Sequence, residues 1–147
     1  MRKSFKYALV SLLVTLIVGG LIFAYSNRRY MHTIRINWSI NLPDSNKEIY
    51  SKNWGMDWMG DGESYHVFQY HDNKIIIKSL DWNEGSNISM ESEVLKLIDT
   101  LGVSKEYIPD FQDSYKYFTK IKTDGYSTIY LIYFEDTKKL YVIENIF

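Results

Sequence analysis

The chain has 147 residues and no cysteine, so disulfide bridges, thiolate zinc sites and a lipid-modified cysteine anchor are excluded. The net charge is −1, but five of the 17 cationic residues and none of the 18 acids lie among the first thirty residues, which leaves 12 cations against 18 acids in the remainder. An acidic remainder of this kind lacks the basic surface of a nucleic-acid-binding protein, so no nucleic-acid partner is expected.

The N-terminal segment contains an uncharged run between Lys6 and Arg28. Residues 7–25 are mostly apolar, and as a helix they would extend about 28 Å, close to the thickness of the hydrocarbon core of a membrane. We therefore predict a cytoplasmic segment (1–6), a transmembrane anchor (7–25), a linker (26–32) and a folded domain (33–147).

The charges that flank this run predict its orientation. Three cationic residues precede it and two, Arg28 and Arg29, follow it, so the positive-inside rule places the amino terminus in the cytoplasm. The chain would then be a single-pass protein of the cell membrane with its C-terminal domain outside the cytoplasm. A cleaved signal peptide is the alternative, because Ala24-Tyr25-Ser26 has the small-x-small pattern of a cleavage site, whereas the length of the run favours a retained anchor.

The first half of the domain shows strand patterns. Alternating apolar residues over Thr33–Leu42 predict a strand, with an extended linker lying on the domain as the alternative. Lys47–Trp54 and Glu63–Tyr70 predict a hairpin, joined by the glycine-rich segment Gly55–Gly62. Lys74–Leu80 is ambiguous, because its three isoleucines favour a strand but show no period.

One helix is predicted, after a polar loop over Asp81–Ser86. It covers Ser89–Leu101, with Ser89 as the N-terminal cap and Gly102 in the position that ends many helices. Its apolar stripe, which would pack on the sheet, consists of Val94, Leu97, Ile98 and Leu101.

The last third of the chain predicts a meander of three strands, Tyr115–Lys122, Tyr126–Phe134 and Leu140–Ile146, with a hairpin signal at Asp124-Gly125. The middle strand is apolar on both faces, which is typical of a central strand. The predicted fold class is therefore α+β: an N-terminal transmembrane helix, then an antiparallel sheet of about five to six strands with one packed helix.

Three segments carry a resemblance to a known group of proteins: residues 60–65, Val103–Phe118 and Leu131–Glu144. Together they resemble small uncharacterised bacterial proteins that have an N-terminal membrane segment and an extracytoplasmic α+β domain ending in a tyrosine-rich hairpin. The resemblance implies this topology, and it implies no activity, cofactor or catalytic residue.

The acidic glycine loop is the main candidate site. Asp57, Asp61 and Glu63 are spaced like oxygen ligands for a hard cation, but Met59 and Phe68 stand where a calcium loop of the EF-hand type needs oxygen donors. A hairpin turn whose aspartates bond the local backbone explains the same residues, and we therefore predict no metal and no cofactor. The alternative is a carboxylate pair of the glycosidase type.

Tryptophans accompany these acids. Trp54 and Trp58 lie in or beside the loop, where they would either form a small hydrophobic cluster that pins the loop or, as exposed rings, bind a partner protein or sugars. The histidines, His32, His66 and His71, lack the spacing of a zinc motif. We thus predict no catalytic residue and name one interaction loop, composed of Trp54, Asp57, Trp58, Asp61 and Glu63.

These observations lead to one expected function and two alternatives. We expect a non-enzymatic, membrane-anchored binding module whose partner is a protein or a cell-envelope ligand. The first alternative is an envelope hydrolase that uses carboxylates of the glycine loop. The second is an immunity-type protein or accessory subunit whose partner lies in the same membrane.

Overall fold

The computed structural model describes residues 14–19, 30–44, 47–55 and 62–147. It has the predicted α+β class, with a six-stranded antiparallel sheet in the order β1-β2-β6-β5-β4-β3. In chain order the elements are a helix over residues 30–38 (α1), β1 (Lys47–Trp54), β2 (Gly62–Gln69), α2 (Asn73–Ile77), β3 (Asn83–Glu84), α3 (Ile88–Leu101), a 3-10 turn (Lys105–Tyr107), β4 (Lys116–Ile121), β5 (Thr128–Phe134) and β6 (Lys139–Ile146).

The two central strands of the sheet are β6 and β5. Alternate side chains of β5 enter two separate apolar clusters, one on each face of the sheet: Ile129, Leu131 and Tyr133 on one face, and Tyr130, Ile132 and Phe134 on the other. This confirms the central strand predicted from its apolar character on both faces. The predicted β1–β2 hairpin and the C-terminal meander are confirmed as well.

The predicted strand over Thr33–Leu42 is wrong, because residues 30–38 form helix α1. The buried side chains in this helix are Met31, Ile34 and Trp38, which recur at helical spacing. Ile36, which shares the parity of the predicted strand, is instead 65% exposed. The alternation of the sequence therefore coincided with a helical stripe, and packing on the sheet selected the helix.

Helix α1 ends where Ser39 takes a positive φ of 53°. The chain then continues without regular structure, and Ile40 and Leu42 are buried in the same cluster as α1. Tyr30 and Met31, which the sequence division placed in the linker, belong to the helix and pack on the sheet. The segment immediately before the domain is thus part of its core.

The opposite face of the sheet is covered by α3, as the sequence predicts. Asn87 caps this helix by accepting a hydrogen bond from the amide of Met90, so the helix begins at Ile88 and the predicted cap Ser89 lies inside it. Gly102 follows with φ 62°, the left-handed conformation that ends helices, which confirms its predicted role. Helices α1 and α3 pack on opposite faces of the sheet, so the predicted number of packed helices, one, is wrong.

Two further segments differ from the sequence predictions. Within the ambiguous segment Lys74–Leu80, the three isoleucines are the last residues of the short helix α2. Asp72 caps the start of this helix by accepting a hydrogen bond from the amide of Lys74. Within the predicted loop, the two residues of β3 pair with Tyr117 and Lys116 of β4. Both differences arise from local capping and edge pairing that a hydrophobic period does not record.

The predicted anchor falls largely outside the described residues. Of residues 7–25, only 14–19 are described, and they are helical and exposed. Within the described ranges, no helix is long and apolar enough to cross a membrane. The transmembrane anchor therefore stays a prediction.

The tyrosine-rich sheet makes the fold sensitive to alkali. Burial is the largest cause that raises the pKa of seven tyrosines: Tyr30, Tyr65, Tyr70, Tyr115, Tyr130, Tyr133 and Tyr141. For Tyr133 the pKa rises to about 12. A pKa raised in the folded state means that the protonated tyrosine stabilises the fold below the unfolded pKa of about 10, and that this stability is lost as the pH rises further.

We therefore expect cooperative unfolding above about pH 10, because each fully buried tyrosine weakens the fold by about 1.4 kcal/mol per pH unit there. Tyrosinate absorbance and circular dichroism, recorded together against pH, measure this. The buried tyrosines should ionise in step with the loss of secondary structure. Complete tyrosine ionisation near pH 10 in a chain that keeps its circular dichroism would contradict the burial of these hydroxyls.

Candidate functional site

The β1–β2 hairpin brings two of the predicted site residues together. Trp54 is the last residue of β1, and it pairs across the ladder with Glu63 of β2. Gly62 begins β2 with φ +140°, and a Cβ at this position would lie 2.5 Å from the carbonyl oxygen of Trp54. Glycine is therefore required for the close approach of the two chain segments, as expected from the glycine-rich connection.

An open cleft lies at this end of the sheet, and we call it the Trp54 cleft. It has a volume of about 440 Å³ and lies between the ends of β1, β2 and β6 and the last turn of α3. Trp54 is 64% exposed at its border. The residues that line the cleft are Trp54, Gly55, Gly62, Glu63, Thr100, Asn145, Ile146 and Phe147.

Glu63 supplies the only charged side chain among these lining residues. Its Oε2 atom is buried and has no hydrogen-bond partner in the described part of the chain. In the ladder Glu63 lies between Trp54 on β1 and Asn145 on β6. The cleft is therefore bordered by one carboxylate, of which one oxygen is buried without a hydrogen-bond partner among the described residues.

The other three residues of the predicted interaction loop, Asp57, Trp58 and Asp61, lie outside the described residues. Convergence of these aspartates with Glu63 therefore stays a prediction. Among residues 14–19, 30–44, 47–55 and 62–147, no group of three or more histidines and acids could hold a metal ion.

A second polar cluster was missed by the sequence analysis and lies on the α1 face of the sheet. Glu144 of β6 is only 2% exposed, and its two carboxylate oxygens accept three hydrogen bonds. The Tyr30 hydroxyl donates at 2.5 Å, the Trp38 indole at 2.5 Å and the Ser64 hydroxyl at 2.9 Å. Two of these donors, Tyr30 and Trp38, belong to α1, so Glu144 binds this helix to the sheet at two points.

The sequence does contain a signal for this cluster. Glu144 shares strand parity with Leu140 and Val142, whose side chains are fully buried under α1. An acid on the inward face of an apolar central strand needs buried hydrogen-bond donors, because an unpaired buried charge is strongly unfavourable. The three donors come from residues that lie 80, 106 and 114 positions earlier in the chain, so only the fold identifies them.

Aromatic and ionic contacts extend this cluster towards β1. The rings of Tyr30 and His66 lie 3.7 Å apart between centroids, and Nδ1 of His66 lies 2.5 Å from Oε1 of Glu48. His66 itself is buried beneath α1, so it is not available to a metal in solvent. Burial and the negative charge of Glu144 raise the pKa of Tyr30 well above its usual value.

Two lysines of the β4 region bind the C-terminal end of α1. The ammonium group of Lys120 donates to the carbonyl oxygen of Trp38 at 2.6 Å, and that of Lys122 lies 4.8 Å from the centroid of the Trp38 ring. A cation at the C-terminal end of a helix is favourable, because the last carbonyl groups carry partial negative charge. Together with Glu144, these contacts make α1 a fixed part of the domain.

The arrangement has two parts with different capacities. The Glu144 cluster is closed, and its polar atoms already bind one another, so its role is to hold α1. The Trp54 cleft is open and has an unused acceptor. No family model, no curated protein and no solved structure matches this chain. The function is therefore argued from the geometry of the cleft.

A second polar cleft, of about 380 Å³, lies at the opposite end of the β4–β5 region and is lined in part by Glu84, Lys116 and Glu135. Lys116 forms ion pairs with both of these acids, and the Glu135 pair has a distance of 3.2 Å. Lys116 thus offsets part of the negative charge of this cleft, which Asp136 also lines. No buried side-chain oxygen or nitrogen of its lining residues lacks a hydrogen-bond partner, in contrast to Glu63.

Proposed function

We propose that this chain is a membrane-anchored, extracytoplasmic binding module that engages a partner protein through the Trp54 cleft. The observation that carries the proposal is Trp54 itself, which is 64% exposed at the border of an open cleft. Large aromatic side chains are the residues most enriched at the energetic centres of protein interfaces, so an exposed tryptophan on a paired strand is a suitable anchor for a partner.

The rigidity of the surroundings supports the same proposal. Trp54 lies on a hairpin whose second strand, β2, is held between β1 and β6 along its full length. A side chain on such a scaffold loses little conformational freedom when a partner binds, which favours affinity. The cleft is thus preorganised by the sheet.

The membrane anchor is part of the proposal and rests on the sequence of residues 7–25 and its flanking charges. The described part of helix α1 includes residue 30, five positions after that run, and Glu144 binds Tyr30 to the sheet. With an anchor preceding α1, the domain would be held close to the membrane with a short connection. A partner in the same membrane would then meet the cleft at high effective concentration.

An envelope hydrolase is the second candidate, because the carboxylate of Glu63 borders an open cleft. Such an enzyme needs a second carboxylate near the first. Asp57 and Asp61 would have to supply it. The substitution Glu63→Gln tests this candidate, since it would abolish hydrolysis by an enzyme, whereas a binding module has no hydrolysis to lose.

Because the chain has no cysteine, an introduced cysteine is the only residue of the chain whose thiol a maleimide can label. Thr100→Cys introduces a thiol in the cleft, and Asp113→Cys introduces one on an exposed loop remote from it. A membrane-impermeant maleimide that carries a photoactivatable benzophenone is applied to intact cells that express the full chain. We expect both thiols to be labelled from outside, and only the thiol at position 100 to give one discrete cross-linked product after illumination.

Trp54→Ala serves as the matched variant of this experiment. In the Thr100→Cys background it should remove the cross-linked product and leave maleimide labelling unchanged. Labelling of neither thiol in intact cells would place the domain on the other side of the membrane. Equal cross-linking from positions 100 and 113, or a product that survives Trp54→Ala, would refute the cleft as the binding surface.

A further inference from the structure

Resting on the proposed function, we propose that the Trp54 cleft receives the ammonium or guanidinium group of a lysine or arginine side chain presented by the partner protein. The inference names the chemistry of the occupant, and three features of the cleft carry it. They are the carboxylate of Glu63, the negative end of α3 and the apolar surface of Trp54 and Phe147.

The first feature is the acceptor. A buried carboxylate oxygen without a donor is unfavourable by itself, because it has lost water and gained no hydrogen bond in return. Oε2 of Glu63 is in this state among the described residues. A cation on the cleft side of this carboxylate compensates for its charge best, since charge-assisted hydrogen bonds are about twice as strong as neutral ones.

The second feature is the local electrostatic field. The last turn of α3 borders the cleft through Thr100, and the C-terminal end of a helix carries partial negative charge. Proteins often compensate this end with a basic residue, but the last turn of α3 has none and contains Asp99 instead. The helix and Glu63 therefore both favour a positive charge in the cleft.

The third feature is the apolar lining. Trp54 and Phe147 offer surface against which the alkyl stem of a lysine or arginine can pack while its charged end reaches Glu63. The face of a tryptophan ring also attracts a cation directly, and more strongly than the other aromatic rings do. An anionic or purely apolar occupant would leave the charge of Glu63 without a partner.

The test uses small probes on the full chain in detergent micelles. Nα-acetyl-lysine amide and Nα-acetyl-arginine amide carry the cation, and Nα-acetyl-norleucine amide carries a comparable alkyl stem without charge. The indole N–H resonance of Trp54, identified by its loss in Trp54→Phe, reports occupancy. We expect both cationic probes to shift this resonance in a saturable manner and the norleucine probe to leave it in place.

Two matched variants separate the carboxylate from general surface charge. Glu63→Gln should weaken the binding of the cationic probes by about tenfold or more, as expected for the loss of a charge-assisted hydrogen bond. Glu106→Gln removes the same charge at an exposed position outside the cleft and should change nothing. The chemical-shift dispersion of each variant shows that it is folded.

Equal shifts by norleucine and lysine amides, equal weakening by both variants, or no shift by any probe would overturn the inference. None of these results bears on whether a partner binds, because the cross-link from position 100 measures that independently. A cross-linked product without a cationic preference would leave the binding module standing and remove only the assignment of its ligand chemistry.

Discussion

Leu131→Asp is expected to abolish the cooperative unfolding transition of the domain. Leu131 has no solvent exposure and lies in β5, in the apolar cluster beneath α1. Removing its side chain forfeits about 1.5–3 kcal/mol of apolar burial. The new carboxylate adds a larger cost, because it would be buried without a partner. The sum approaches the whole stability of about 5–15 kcal/mol that is usual for a domain.

Thermal and urea unfolding followed by circular dichroism measure this effect. Ile121→Asp is the matched control, since it makes the same kind of change at a β4 position that is 59% exposed. The control should alter the free energy of unfolding by no more than about 0.5 kcal/mol, as is usual for surface substitutions. Similar transitions for both variants would show that β5 is not the buried centre of the sheet.

Glu144→Ala is expected to lower the free energy of unfolding by about 3 kcal/mol or more. The substitution leaves three buried hydrogen-bond donors without an acceptor, and each such donor costs about 1–3 kcal/mol. The donors are Tyr30, Trp38 and Ser64, and the indole of Trp38 is almost fully enclosed. Since two of these residues belong to α1, the helix should also separate from the sheet more readily. Hydrogen exchange of the α1 amides should accelerate more than that of β5.

Two further variants show whether the carboxylate acts through these contacts. Tyr30→Phe removes one hydrogen bond and keeps the ring on His66, so it should weaken the domain by only about 1 kcal/mol. In the Glu144→Ala background, Tyr30→Phe should have almost no further effect, because its partner is already absent. Additive losses from the two substitutions would contradict a shared hydrogen bond.

Much of the fold could be predicted because the relevant signals are local. Gly55 and Gly62 mark the β1–β2 connection, Asp124-Gly125 marks the β4–β5 turn, and the apolar stripe of Ser89–Leu101 marks α3. Each signal depends on residues a few positions apart, and the structure confirms each element. The conformations of Gly62 and Gly102 follow from the same local logic.

The failure at α1 shows where local signals end. Ile34, Ile36, Trp38 and Ile40 alternate as a strand would, yet only three of these four side chains are buried. A helix buries positions 34 and 38 together and leaves 36 outside, and an extended segment then buries 40. The period of the sequence does not distinguish this combination from a strand. The hydrogen bonds of Glu144 with Tyr30 and Trp38 stabilise the helix in place.

The sequence by itself determined the α+β class, the antiparallel meander, the central strand and the position of the glycine connection, because composition and short-range periodicity encode them. Only the tertiary structure decided which polar side chains meet. Glu63 faces an open cleft beside Trp54, whereas Glu144 is closed beneath α1. Both are glutamates on strands, and their difference arises from contacts between residues far apart in the chain, which no local pattern records.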